Sequence, residues 1–137
     1  MNFKRYAIYY VPSNNLFYKL GSSWLGWDTI SGQPASQPET DSAVNIQKIT
    51  EAPRKYGLHA TIKAPFRLGN NVNALELERQ LEILCGSIKP IEFKLKLSEL
   101  SGFFALTPTV KNTEIRELHT KVVCELDEFR APPTKDE

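Results

Sequence analysis

The stretch Tyr56–Phe66, YGLHATIKAPF, alternates polar and apolar residues. Side chains on a β-strand point alternately to its two faces, so the alternation predicts a strand over residues 57–67. The apolar row, which we expect to face a core, consists of Leu58, Ala60, Ile62 and Ala64. The other row consists of His59, Thr61 and Lys63. An imidazole, a hydroxyl and an ammonium in one row could together bind an anion and move a proton.

The alternative to a functional site is an ordinary strand whose solvent-facing residues are polar. The tripeptide His-x-Thr is too short to identify a function by itself. Two features favour a site: Lys63 adds positive charge to the same row, and His59 is one of only two histidines. The other, His119, lies beside the apolar stripe of a predicted helix and has no Thr two residues later. We therefore interpret His119 as a surface or boundary helix residue.

Composition excludes several classes of function. The net charge of +1 gives no whole-chain basicity for binding nucleic acid or an anionic membrane, so RNA is an unfavoured partner. No apolar run approaches the roughly 20 residues of a membrane span, and the first residues do not resemble a signal peptide. Cys85 and Cys124 form no CxxC motif and lie near no histidine pair. We expect both to be reduced helix residues of a cytoplasmic protein that binds no metal.

Hydrophobic periodicity predicts the order strand, helix, loop, strand, helix, strand, strand, helix. This order indicates an α+β fold with a mostly antiparallel sheet packed on helices. The first strand covers residues 4–11, and a helix follows over about 15–26. Its predicted apolar stripe consists of Leu16, Leu20, Trp24 and Trp27. Residues 28–42 are polar and rich in Pro, Ser and Gly, which predicts a long surface loop.

The second half of the chain carries clearer local signals. Asn73 and Glu76 resemble a capping box, and the helix after them has a stripe of Ala74, Leu77, Leu81 and Leu84. Residues 91–98 alternate without a break, which predicts a strand whose inward residues are Ile91, Phe93, Leu95 and Leu97. Ser101 and Gly102 predict a turn into another strand. Asn112 or Thr113 caps a last helix with a buried stripe of Ile115, Leu118, Val122, Leu126 and Phe129.

Several segments together resemble a known family. They are, in chain order, RYAIYY, GSSWLG, PRKYGLHATIKAPFRL, SGFFAL and LDEFRAP. In this order, over nearly the whole chain, the sequence is similar to a family linked to bacterial phosphonate-metabolism operons, within the two-histidine (2H) phosphoesterase superfamily. The resemblance implies two pseudo-symmetric lobes, each with a His-x-Thr or His-x-Ser motif on a central strand, which face each other across a cleft. It also implies cleavage of cyclic phosphates or 2′,5′-type phosphodiesters without a metal or another cofactor.

The resemblance assigns roles to three residues. His59 is implied to be a catalytic acid/base, and Thr61 is implied to bind the phosphate of a small phosphate-ester or nucleotide-like substrate. Lys63 matches a lysine of the family, and we expect it to bind the substrate by electrostatic attraction. Two imidazoles on opposite sides of phosphorus can activate water and protonate the leaving oxygen. Hydroxyl groups can stabilise the non-bridging oxygens while charge builds on them.

The sequence departs from the family pattern because it contains a single His-x-Thr motif. We therefore expect residues 1–100 to form a first lobe, and residues 101–137 to form the opening strand and helix of an incomplete second lobe. Loss of one of two acid/base groups typically lowers the rate by about 10²–10⁴. The chain alone is accordingly expected to be weakly active or inactive.

Three functional hypotheses remain open from the sequence. The first is a 2H-type phosphoesterase, and the second is a module that binds a phosphate or a nucleotide without chemistry. The third is a half-protein that becomes active as a homodimer through its incomplete second lobe, because unfinished sheets expose apolar surface and strand edges.

Overall fold

The computed structural model describes residues 4–13, 15–41 and 43–133. Helices and small antiparallel sheets make up the fold, which confirms the α+β class. The strands are β1 (Tyr6–Tyr10), β2 (Trp27–Asp28), β3 (Gln33–Pro34), β4 (Ala60–Phe66), β5 (Leu95–Leu100) and β6 (Phe103–Pro108). The helices are α1 (Leu16–Leu25), α2 (Ile46–Ile49), α3 (Glu51–Arg54), α4 (Ala74–Gly86) and α5 (Thr113–Glu125). A 3₁₀ turn, Asp127–Phe129, follows α5.

In the described part of the chain, the strands pair two by two. β1 pairs with β4, β2 with β3, and β5 with β6. The last two pairs are antiparallel, with Trp27 opposite Pro34 and Leu100 opposite Phe103. The residues divide into two compact units, one formed by Met1–Ala7 with Lys63–Glu137 and the other by Ile8–Ile62. The predicted lobe boundary at residue 100 stays a prediction, and residues 134–137 of that second lobe lie outside the described residues.

The unit that contains Lys63–Glu137 has its core where the sequence predicted two amphipathic helices. Leu77 and Leu84 of α4 are buried, as are Val122 of α5 and Leu126 and Phe129 after it. The capping box of α4 is present, since the Asn73 side chain accepts from Glu76 N and the Glu76 carboxylate accepts from Asn73 N. Asn112, rather than Thr113, caps α5 by accepting from Ile115 N. Both helices are thus confirmed, but Ile115 and Leu118 of the predicted stripe of α5 are half-buried rather than buried.

The unit formed by Ile8–Ile62 buries a different face of α1 from the one predicted. Tyr18 and Ser22 are the buried residues of this helix, whereas Leu16 is 73% exposed and Leu20 is 62% exposed. The reason is a close approach at Gly21, where an added Cβ would lie 2.5 Å from Leu58 Cδ2. Glycine lets the Leu58 side chain pack directly against the helix backbone, so the face around Gly21 becomes the inner one.

The predicted loop over residues 28–42 contains a short hairpin that the sequence analysis missed. The carboxylate of Asp28 accepts hydrogen bonds from Ile30 N and Ser31 N and from the hydroxyl of buried Tyr18. Gly32, with φ +65°, closes the turn by donating from its N–H to the carbonyl of Asp28. The rest of the predicted loop runs to residue 41, and residue 42 lies outside the described residues.

The β5–β6 hairpin has the predicted turn but not the predicted burial. Ser101 and Gly102 both have positive φ, as a tight two-residue hairpin turn requires. Leu97 is 69% exposed and Phe104 is 78% exposed, and the strand register places both on the same face as Leu95 and Leu106. The expectation that Leu95 and Leu97 point into a core is therefore wrong. The strand begins at Leu95 rather than at residue 91, so Ile91 and Phe93 lie outside it. Within β5 the alternation predicted the two faces correctly, but no described element covers the apolar one.

Candidate functional site

His59 lies immediately before β4 rather than in the middle of a strand. The strand begins at Ala60, and Gly57, two residues before His59, has φ +69°. The side chain of His59 is half-buried. Its position is therefore set by the turn at Gly57 and by its ring neighbours, and not by the strand alternation from which it was predicted.

Two tyrosines flank the imidazole of His59. The Tyr9 ring stacks on it, with the ring centroids 4.1 Å apart and the planes 29° apart. Tyr56 lies tilted at a centroid distance of 6.2 Å and is exposed. Stacking on one face and a second ring nearby restrict the rotation of the imidazole, so His59 is held in a defined orientation.

The turn also brings a backbone carbonyl to the ring of His59. Nδ1 lies 2.9 Å from the carbonyl oxygen of Gly57. A carbonyl can only accept a hydrogen bond, so this contact is a hydrogen bond when Nδ1 carries the proton, and the neutral imidazole then has its lone pair on Nε2. This arrangement leaves Nε2 chemically able to accept a proton from water or a hydroxyl group.

The structure places Thr61 on β4 with an exposed side chain. In the described residues its hydroxyl has no hydrogen-bond partner, and no hydrogen bond joins it to His59. An exposed hydroxyl without a protein partner can donate to a ligand oxygen. The predicted role of Thr61 in phosphate binding stays a prediction.

The apolar row of the opening stretch does not face a core throughout. Ala60 and Ala64 are exposed, whereas Leu58 and Ile62 are half-buried. The expectation of a continuous apolar face is therefore wrong for the two alanines. Methyl side chains contribute little to a core, so their exposure costs little free energy.

Lys63 is buried, with 5% of its surface exposed. Its ammonium donates to the carbonyl oxygen of Val123 at 2.8 Å and lies 3.3 Å from Asp127 Oδ1. It also lies 5.4 Å from the ring centroid of Phe66. The Val123 carbonyl belongs to the last turn of α5, where carbonyls lack partners within the helix and a cation is favourable. The ammonium predicted to bind substrate is thus engaged in binding the end of a helix, and its role towards a substrate stays a prediction.

Asp127 carries the other electrostatic feature near Lys63. Hydrogen bonds from Arg130 and then from Lys63 lower the pKa of its carboxyl from 3.8 to about 2. Arg130 Nε lies 2.8 Å from Asp127 Oδ1. This cluster could not be predicted from the sequence, because Lys63 and Asp127 are 64 residues apart and no local pattern links them.

Neither Tyr9 nor Gly57 was predicted from the sequence to lie at the site. The signal that could have found Gly57 was its position two residues before His59, where a glycine permits a positive φ.

His119 is exposed on α5, as predicted, and Cys85 and Cys124 are free thiols on α4 and α5. Among the described residues, no three His, Cys, Asp or Glu side chains form a group that could hold a metal ion. No helix there is both long enough and apolar enough to cross a bilayer.

Two curated relatives align with almost all of the chain. One, from Laribacter hongkongensis (strain HLHK9), is named "Ribose 1,5-bisphosphate phosphokinase PhnN" and is 34% identical over 93% of this chain. A protein of the same name from Janthinobacterium sp. (strain Marseille) is 34% identical over 97% of this chain. The alignments cover 31% and 30% of these proteins, so the chain spans about three tenths of the length of the relatives it matches.

No solved structure matches the chain. Residues 61–137, which are more than half of the chain, match a family described as "Protein of unknown function (DUF1045)". The chain therefore belongs to the DUF1045 family.

Proposed function

We propose that this chain is part of a 2H-type phosphoesterase that hydrolyses a small cyclic phosphate or phosphodiester, with His59 as an acid/base and Thr61 as a phosphate ligand. The observation that carries the proposal is the hydrogen bond between His59 Nδ1 and the Gly57 carbonyl, which leaves Nε2 as the proton acceptor. The exposed hydroxyl of Thr61, two residues later, supports the second role.

In the proposed reaction, the oxygen of a water molecule attacks phosphorus while Nε2 of His59 takes the water proton. The new P–O bond forms as the ester P–O bond breaks, and the leaving oxygen takes a proton from a second acid. The resemblance assigns that second acid to another His-x-Thr motif, which this sequence does not contain. A hydrogen bond from Thr61 to a non-bridging oxygen would stabilise the charge that builds there. Lys63 holds the end of α5, and in this proposal its positive charge also attracts the phosphate.

A phosphorylated sugar is the substrate class that we favour, within phosphonate metabolism and in the cytoplasm. The names of both relatives refer to a ribose bisphosphate, and the two free thiols are typical of reducing compartments. The names of both relatives also state a kinase activity. The sequence lacks the glycine-rich loop followed by Lys and Ser or Thr with which many kinases bind ATP phosphates.

Hydrolysis of a ribose cyclic phosphate and of a 2′,3′-cyclic nucleotide tests the proposal directly. We expect His59→Gln to lower the rate by about 10²–10⁴, and the matched exposed variant His119→Gln to leave it unchanged. Equal rates for the wild type and His59→Gln would remove His59 from the mechanism.

A non-catalytic binding module is the second candidate, because the single His-x-Thr motif provides one acid/base where the reaction needs two. This alternative predicts saturable binding of a sugar phosphate or nucleotide monophosphate, weakened in Thr61→Val, with no turnover of any ester. Lack of binding at millimolar ligand would exclude it.

We also propose that two copies associate through the apolar face of the β5–β6 hairpin. The exposure of Leu97 and Phe104 on this face supports such pairing. Its test is the oligomeric state of the chain in solution.

A further inference from the structure

We infer that Trp27 and Thr29, which lie outside the His-x-Thr motif, are positioning residues that act through Gly57 to hold His59 in its Nδ1–H tautomer. The inference deepens the proposed function, because this tautomer is the one that makes Nε2 a base. It concerns a property of the free protein, so it can be measured whether or not the chain turns over a substrate.

The first step is that Trp27 of β2 and the adjoining Thr29 pack closely on Gly57. A Cβ added to Gly57 would overlap Thr29 Oγ1 and would lie 2.9 Å from Trp27 Cδ1. Real Cβ atoms do not approach other atoms this closely, so only glycine fits between these two side chains. Its φ of +69° excludes most other residues for a second, independent reason.

The second step is the anchoring of the peptide group that joins Tyr56 to Gly57. Its carbonyl accepts a hydrogen bond from the Thr29 hydroxyl at 3.4 Å, and its N–H donates to the Pro53 carbonyl at 3.1 Å. Both polar ends of this peptide are therefore bound to the surrounding unit. The carbonyl of Gly57 directly follows this anchored peptide and lies 2.9 Å from His59 Nδ1.

The third step is the choice between tautomers. In the Nδ1–H form, the ring donates to Gly57 O at 2.9 Å. In the Nε2–H form, a nitrogen lone pair would face the lone pairs of the same carbonyl, and the hydrogen bond would be lost. The stacked ring of Tyr9 opposes rotation of the imidazole away from this contact. A neighbouring group that accepts a hydrogen bond from one ring nitrogen in this way fixes which nitrogen of the histidine is reactive.

Gly32 and Gly57 have similar backbone conformations but different surroundings. Gly32 has φ +65° and no atom within 4 Å of an added Cβ, whereas Gly57 has φ +69° and two close side chains. Replacement by alanine imposes a similar backbone cost at both positions. Only the change at Gly57 disturbs the contact with Trp27 and Thr29, so Gly32→Ala is a matched control for Gly57→Ala.

The experiment is nitrogen-15 NMR of the imidazole of His59 in the full chain at about pH 8.5, where unperturbed imidazoles are neutral. We expect a protonated Nδ1 and an unprotonated Nε2 in the wild type and in Gly32→Ala. In Gly57→Ala the ratio of the two tautomers should shift towards Nε2–H by about fivefold or more, which corresponds to the loss of one hydrogen bond. Thr29→Ala should shift the ratio in the same direction, and Thr29→Ser, which keeps the hydroxyl, should restore it.

An Nε2–H tautomer in the wild type would overturn the inference. Unchanged ratios in folded Gly57→Ala and Thr29→Ala proteins would also overturn it. If Gly57→Ala fails to fold while Gly32→Ala folds, the Thr29→Ala and Thr29→Ser pair decides the question. The expected tautomers together with equal hydrolysis rates for the wild type and His59→Gln would contradict the proposed function and leave this inference standing.

Discussion

The ammonium of Lys63 donates a hydrogen bond of 2.8 Å to the carbonyl oxygen of Val123, in the last turn of α5. The two residues are 60 positions apart in the chain, and their contact joins β4 to the end of a helix. A buried lysine beside the His-x-Thr motif therefore has a structural task, in addition to the role towards phosphate that the sequence predicts for it.

Replacement of Lys63 by methionine is expected to lower the free energy of unfolding by about 2 kcal/mol. The change keeps most of the apolar stem but removes a charged hydrogen bond and leaves the Val123 carbonyl without that donor. Urea unfolding monitored by circular dichroism measures the effect. The control is Lys96→Met on the exposed strand β5, which should change stability by less than about 0.5 kcal/mol. Unchanged stability of Lys63→Met, together with a loss of phosphate binding, would assign Lys63 to the substrate instead.

Acid is expected to weaken the unit that contains Asp127. The pKa of its carboxyl is lowered from 3.8 to about 2 by Arg130 first and then by Lys63. A lowered pKa in the folded state contributes stability that is fully present above the ordinary value and is lost as the pH falls through the folded value. The free energy of unfolding should accordingly decrease between about pH 4 and pH 2.

The matched variant for this pH dependence is Asp127→Asn, which removes the titrating group. Its stability should fall less steeply over the same acidic range than that of the wild type. Asp41→Asn, at an exposed position, provides the control. Parallel acid profiles for the wild type and Asp127→Asn would contradict the prediction.

Thr61→Val is expected to lower the rate of ester hydrolysis by about 10²–10³, as the loss of one donor to a developing oxyanion does in other enzymes. Valine keeps the branched shape and the strand propensity of threonine, so the fold of β4 should persist. Thr61→Ser should retain most of the activity because it keeps the hydroxyl. A Thr61→Val protein that is as active as the wild type would show that the hydroxyl does not bind the phosphate.

Tyr9→Leu is expected to lower stability by about 1 kcal/mol and to broaden the imidazole signals of His59, because the stacked ring is lost. Tyr9→Phe should preserve both properties, since the stacking ring remains. Tyr10→Leu, at an exposed neighbouring position, serves as the control. Identical spectra of His59 in Tyr9→Leu and in the wild type would mean that the Gly57 carbonyl alone orients the ring.

Self-association through the hairpin is expected to decrease in Phe104→Lys. Phe104 lies on the apolar face with Leu95, Leu97 and Leu106, whereas the neighbouring Phe103 lies on the opposite face with Ser98 and Thr107. Phe103→Lys adds the same charge one residue away and should leave association largely intact. Sedimentation velocity over a range of protein concentrations measures the difference. A wild type that remains monomeric at the highest concentration would refute the pairing.

Those parts of the fold that depend on contacts between residues a few positions apart could be predicted from the sequence. The capping box of α4 joins Asn73 and Glu76, and the turn of the β5–β6 hairpin needs only Ser101 and Gly102. His59 was found as a candidate from the alternation around it, although the strand starts one residue later. Its ring neighbours were not found, because Tyr9, which stacks on the imidazole, and Thr29, which donates to the Tyr56 carbonyl beside Gly57, are distant in sequence.

The amino-acid sequence by itself determined where the longer helices and strands lie and which residues share each face, because propensity, capping and turn formation act over a few residues. The tertiary structure decided which of those faces is covered. In the tertiary structure, α1 buries Tyr18 and Ser22, and Leu97 and Phe104 are exposed to solvent. The ammonium of Lys63 donates to the carbonyl of Val123. The physical reason is that burial and ion pairing depend on groups brought together from distant positions, and no periodicity in one segment specifies its partner.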